Sequence, residues 1–163
     1  MAAVITIDRA NFEDFYLRHY QMVYRICFAY MKNSYDAEDC TQDTFIKVLK
    51  GSFSFNGPKH EEAWLTVTAM NVCRDHLKQF WHRKVTVDEN IEASARSSDK
   101  APDYLLEEIM SLPAKYKDVI YLHYYLGYKT EEIAVMLNRP GSTVRNQLAA
   151  GRKLLRSLLE DEQ

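Results

Sequence analysis

Apolar residues recur at three- and four-residue intervals along two long stretches of this chain, and between them, from about Lys84 to Pro102, the period disappears. That spacing puts the apolar side chains on one face of a helix, which must be covered by a neighbour, so each stretch has to fold as a set of packed helices. Only five glycines and four prolines interrupt 163 residues, and strand-like alternation is scarce. The expected fold is therefore all-α: two small helical domains, 1–84 and 103–163, joined by a flexible linker, 85–102, whose Ala, Ser and charged residues carry no pattern that would bury a face.

In the first half, Asn11 is positioned to cap a helix bearing Phe12, Phe15, Tyr16, His19, Met22, Val23, Ile26, Cys27 and Tyr30 on one face. Ser34 is placed to cap a second, acidic in its first turn as the helix dipole favours, with a buried stripe of Ala37, Cys40, Thr44, Phe45, Val48 and Leu49. Gly51 ends it. The segment 51–58 has turn residues at both ends and Phe53 and Phe55 between them, and reads as a structured loop. A third helix, from about His60 to His82, buries Ala63, Trp64, Val67, Met70 and Leu77 and carries a polar flank of Asn71, Arg74, Asp75, Lys78 and Gln79.

In the second half Pro102 and Pro113 suit helix starts and Gly127 a stop. Thr130 is placed to cap a short helix through Leu137, Asn138-Arg139-Pro140-Gly141 to form a turn, and Ser142 to cap a final helix. This is the spacing of a helix-turn-helix, with the small Ala134 where the helices cross. Val144, Leu148 and Leu155 pack inward, leaving Thr143, Arg145, Asn146 and Gln147 on the early turns that enter a major groove. Arginine bridges two guanine acceptors, and asparagine or glutamine pairs with adenine. From Gly141 to Leu159 every charge is positive (Arg145, Arg152, Lys153, Arg156), whereas 34–43 holds Asp36, Glu38, Asp39 and Asp43. A net charge of −2 thus conceals one surface suited to DNA and another suited to a basic partner.

Several classes are disfavoured. The longest charge-free stretch, Ala63 to Cys73, is far shorter than the roughly 20 residues a membrane helix needs. The first residues include Asp8 and Arg9 and no apolar run of the secretory kind, so a cytoplasmic location is expected. Cys27, Cys40 and Cys73 lack C-x-x-C spacing and fall on apolar helix faces, the pattern of reduced core residues rather than metal ligands. No H-E-x-x-H, phosphate-cradling glycine loop or nucleophile elbow is present, so neither an enzyme nor a cofactor is expected.

Two separate motif sets resemble extracytoplasmic-function sigma factors of bacterial RNA polymerase. Leu112-Pro113, Gly127 to Ala134, Leu137 and Thr143-Val144-Arg145 are similar to the family's region four. Asp36 to Phe45 resembles its polymerase-binding helix, and Trp64-Leu65 with Asn71, Asp75 and Lys78 its promoter-melting helix. The resemblance implies an alternative sigma factor whose partners are core RNA polymerase, promoter DNA and, as often in this family, an anti-sigma factor. It assigns polymerase contacts to Asp39, Gln42, Asp43 and Phe45. The minus-ten element would fall to Asn71, Arg74 and Lys78, with Phe53, Phe55 and Asn56 forming a pocket for an unstacked base. The minus-thirty-five duplex would be read by Ser142, Thr143, Arg145, Asn146, Gln147 and Arg152. The family usually has glycine at Ser142 and arginine at Gln147 and Ala150; fewer phosphate contacts imply weak DNA binding by the free factor. A stand-alone helix-turn-helix repressor and a sigma-like interaction module without promoter recognition are the alternatives, and polymerase binding and promoter-specific transcription separate them from the first reading.

Overall fold

The computed structural model describes residues 5–51, 53–86 and 103–161, and divides the chain into two compact units, Met1–Asp99 and Lys100–Gln163. The expected linker from residue 87 onward and the helix start at Pro102 lie outside the described residues.

The first unit holds three helices, α1 (Phe12–Met31), α2 (Ser34–Lys50) and α3 (Pro58–Thr86), each packed against the other two. Their facing stripes supply the core: Phe15, Val23, Ile26 and Cys27 from α1, Ala37, Cys40, Phe45 and Val48 from α2, and Leu65, Ala69, Met70 and Cys73 from α3. Full burial of a Phe, Leu or Ile side chain contributes about 1.5–3 kcal/mol, so this interface supplies most of the unit's stability. α3 extends past the expected end at His82 to Thr86, taking in the first two residues of the expected linker.

Several local expectations are corrected. Asn33, not Ser34, caps α2, its side chain accepting the Asp36 N–H at 2.8 Å. Asn11 stands at the start of α1 but makes no cap bond. Its amide instead accepts the Asp8 N–H and donates to the Thr6 carbonyl, both at 2.8 Å, tying the preceding segment back on itself. That segment forms β1 (Ile5–Thr6), which pairs antiparallel with β2 (Ser54–Phe55) from the loop between α2 and α3. Leu49 is half exposed rather than part of the buried stripe. Gly51 ends α2 as expected, in an extended conformation. The Phe53 ring lies over Gly51, so that a Cβ there would require the ring to shift.

The second unit comprises α4 (Tyr104–Ser111), α5 (Ala114–Ile120), α6 (Thr130–Leu137) and α7 (Gly141–Asp161). Asp103 caps α4, accepting the Leu106 N–H at 3.1 Å. α5 runs into a π-helical turn, Tyr121–Tyr125, closed by Gly127 at φ +81°. α6 begins after Lys129, whose N–H donates to Glu132 Oε1 at 2.9 Å, so the expected Thr130 cap is replaced by a bond from the third residue of the helix. Ser142 likewise sits inside the first turn of α7. Mid-helix Gly151 is buried against Ile120, whose Cγ1 would lie 2.7 Å from an added Cβ, and this close approach lets α7 cross α5.

Candidate functional site

α2 carries its candidate residues on one exposed stripe. Asp39, Gln42 and Asp43 are spaced at three and four residues and face solvent, as the sequence requires. Continued along the helix, the same register takes in Tyr35, 85 % exposed, Ile46, 41 %, and Leu49, 51 %. Three apolar side chains thus bracket acidic and amide groups on one solvent-facing stripe of α2. Sequence reasoning read Leu49 as core and gave Tyr35 and Ile46 no place on either face. The signal that finds them is their register with Asp39 and Gln42. Phe45 stands apart: it is 2 % exposed, between Phe15 and Tyr16, and supports the stripe from beneath. Asp43 Oδ2 lies 2.8 Å from His76 Nε2, fastening α2 to α3.

α3 presents Asn71 and Lys78 to solvent and Arg74 half-buried, with Asp75 exposed beside them. Arg74 donates to Asn71 Oδ1 at 3.2 Å, which sets the amide's orientation. One and two turns before Asn71 in this register come Val67 and Trp64, both half-buried. Trp64 packs on Phe53, ring centroids 4.5 Å apart, at the head of the polar stripe. Of the three loop residues, Asn56 is exposed and its N–H donates to His60 Nδ1 at 2.9 Å, and Phe53 is half-buried. Phe55 is a core anchor, 1 % exposed and stacked on Phe15 at 6.1 Å, leaving no face for a base in this conformation. Within β2, Ser54 is exposed and Phe55 buried, as successive strand residues point to opposite faces.

In α7, Val144, Leu148 and Gly151 face inward, and Ser142, Arg145 and Asn146 face solvent. Lys153 and Arg156 extend the exposed stripe by two turns, lengthening its basic edge. Thr143 and Gln147 are half-buried on its flank. Gln147 Oε1 accepts from Arg139 at 2.8 Å, so this amide holds the turn between α6 and α7. Arg152 donates to the Tyr124 hydroxyl at 2.7 Å, which draws its guanidinium toward the π-helical turn.

Among the described residues no group of His, Cys, Asp or Glu is arranged to hold a metal, and no helix is long and apolar enough to cross a membrane.

Comparison with known proteins assigns both halves. The family profile of sigma-70 region 2 matches residues 15–83, and that of sigma-70 region 4 matches residues 103–155. The RNA polymerase sigma factor SigV of Bacillus subtilis is 32 % identical over 146 residues, 88 % of each chain. The ECF RNA polymerase sigma factor SigW of the same organism is 26 % identical, covering 94 % of this chain and 91 % of SigW. The fold resembles RpoE of Bartonella quintana, solved with the anti-sigma factor NepR, at TM-score 0.64 and 18 % identity over 94 % of this chain and 99 % of that one. It also resembles CnrH, solved with the cytosolic domain of CnrY, at TM-score 0.63 and 19 % identity over 95 % and 91 %. With both regions matched in order and a relative aligned over most of its length, the chain belongs to the extracytoplasmic-function type of RNA polymerase sigma factors.

Proposed function

We propose that this sigma factor directs promoter-specific initiation by docking the exposed α2 stripe on core RNA polymerase and placing α3 and α7 on the two promoter elements. The observation that carries the reading is the stripe itself. Asp39, Gln42 and Asp43 stand in one solvent-facing register with Tyr35, Ile46 and Leu49, a combination of acid and exposed apolar area suited to a basic, partly apolar partner. Asn71, Arg74 and Lys78 contact the nontemplate strand of the minus-ten element, with the Phe53–Trp64 pair and Asn56 beside the opened base. Ser142, Arg145 and Asn146 read the minus-thirty-five duplex, with Thr143 at its flank and Lys153 and Arg156 on phosphate. Gln147 and Arg152 act through the turn and Tyr124, holding α7 in place. The domains are 1–84 and 103–163 with 85–102 as linker, the protein works in the cytoplasm without catalysing a reaction, and an anti-sigma factor is a second partner.

Run-off transcription with purified core polymerase over a promoter-fragment library tests this. New start sites that require the protein, and that Asn71→Ala with Lys78→Ala weakens at the opening step, are expected. If core plus the protein initiates nowhere that core alone does not, the reading fails.

A further inference from the structure

α3 opens on a buried carboxylate. Glu61, in its first turn, is fully buried, and its side chain reaches one turn of α1. Oε1 lies 3.4 Å from Nε2 of the buried His19 and 3.6 Å from Nη2 of Arg18, and Oε2 has no hydrogen-bond partner among the described residues. Hydrogen bonds between charged groups ordinarily run to about 2.7–2.9 Å, so even the partnered oxygen is held loosely. A buried carboxylate so incompletely satisfied is less favourable than an apolar side chain of similar volume in the same place. Packing does not explain it.

Its neighbours point to another role. His60, the residue before it, accepts the Asn56 N–H at 2.9 Å, and Trp64, three residues on, packs on Phe53 with ring centroids 4.5 Å apart. Glu61 thus stands between the two side chains that hold the loop joining α2 to α3. On the α1 side, Phe15 stacks on Phe55 of that loop at 6.1 Å and meets the His19 ring at 4.8 Å. The Arg18 guanidinium lies 5.9 Å from the centre of the Phe15 ring and is steadied by Asp14 at 3.2 Å. One turn of α1 therefore grips the loop through Phe15 and the start of α3 through Arg18 and His19.

We infer that Glu61 is a positioning residue for promoter opening: by offering one oxygen to Arg18 and His19 it ties the first turn of α3 to α1 and so fixes the loop that presents Asn56 and Phe53 to the displaced base. The inference rests on the reading that α3 and this loop take the minus-ten element. Gly57, at φ +114°, joins the loop to the helix, so without the tie the first turn of α3 can rock about this joint while the core below it stays packed. Capture of an unstacked base needs its contacting groups already in place, and a small misplacement slows it without unfolding the protein.

The test compares full-length wild type, Glu61→Met and Glu61→Gln with purified core polymerase. It reads the urea midpoint, core binding, and the rate of promoter opening from permanganate reactivity of unpaired thymines. Glu61→Met puts an apolar chain of similar length in the same place, and is expected to keep or raise the urea midpoint and to bind core as wild type does. Its opening rate is expected to fall about tenfold or more. Glu61→Gln retains an acceptor oxygen for Arg18 and His19 and is expected to open at close to the wild-type rate. The assignment is overturned by a Glu61→Met chain that opens as fast as wild type, by one that loses stability or core binding in step with opening, or by a Glu61→Gln chain as slow as Glu61→Met. A wild type that binds core but opens no promoter would contradict the minus-ten reading itself, and the assignment with it.

Discussion

His76 Nε2 on α3 stands 2.8 Å from Asp43 Oδ2 on α2, so a member of the proposed docking stripe is also part of the seam between two helices. The imidazole is about a third exposed and the carboxylate half exposed, which limits the pair to about 0.2–1 kcal/mol. Its larger effect is orientation. His76→Ala is expected to lower the urea midpoint only slightly while weakening binding to core polymerase several-fold, whereas Asp39→Ala weakens binding with no stability change. Urea unfolding and a polymerase titration on the same variants separate the two effects.

Gly151→Ala forces a methyl group into contact with Ile120 at 2.7 Å. Overpacking of this kind costs about 1–3 kcal/mol, enough to loosen the α5–α7 crossing while leaving the first unit intact. Amide exchange resolved by segment is expected to rise across residues 103–161 and to stay unchanged across α1, α2 and α3.

Asp103 and Tyr125 give the second unit a pH dependence at both extremes. The Tyr125 hydroxyl donates to Asp103 at 2.7 Å, and with the Leu106 N–H it holds the carboxyl below its ordinary range. The same bond, with some burial, raises the Tyr125 phenol. A lowered carboxylate contributes stability that is present above its unfolded value and lost as pH falls through the folded one. A raised phenol contributes stability that is present below its unfolded value and lost as pH rises through the folded one. Tyr125→Phe is therefore expected to flatten both the acid limb below the carboxylate range and the alkaline limb above about pH 10 in denaturant midpoints of the full chain.

The two kinds of basic residue on α7 separate by promoter sequence and salt. Arg145→Ala is expected to cost about 1–3 kcal/mol in holoenzyme binding and to relax preference at one base pair of the minus-thirty-five element. Lys153→Ala is expected to weaken all sequences alike and to reduce the salt slope by about one. Binding titrations over a range of salt, on the preferred duplex and a single-base variant, read both.

Periodicity revealed the helices because burial of α1, α2 and α3 against one another leaves a 3.6-residue trace in the choice of apolar residues. The same trace misplaced Leu49, since an exposed apolar residue is indistinguishable by type from a core one, and Tyr35 and Ile46, outside the buried stripe, received no role. Caps shifted by one residue where two competent groups stand together, as with Asn33 and Ser34. The β1–β2 pair left no pattern because two-residue strands complete no alternation. The roles of Phe55 and Gln147 depend on contacts made across the fold, a Phe15 stack and an Arg139 bond, which no local spacing encodes. The motif sets in both halves were legible because their polar residues occupy fixed helix positions.

The central claim is that the α2 stripe binds core polymerase, and co-elution on a sizing column tests it most directly. Wild type is expected to co-elute with core enzyme, and the variant carrying Asp39→Ala, Gln42→Ala and Asp43→Ala, folded by circular dichroism, is expected to elute alone. Failure of the wild type to bind core, or undiminished binding by the folded variant, would contradict the account.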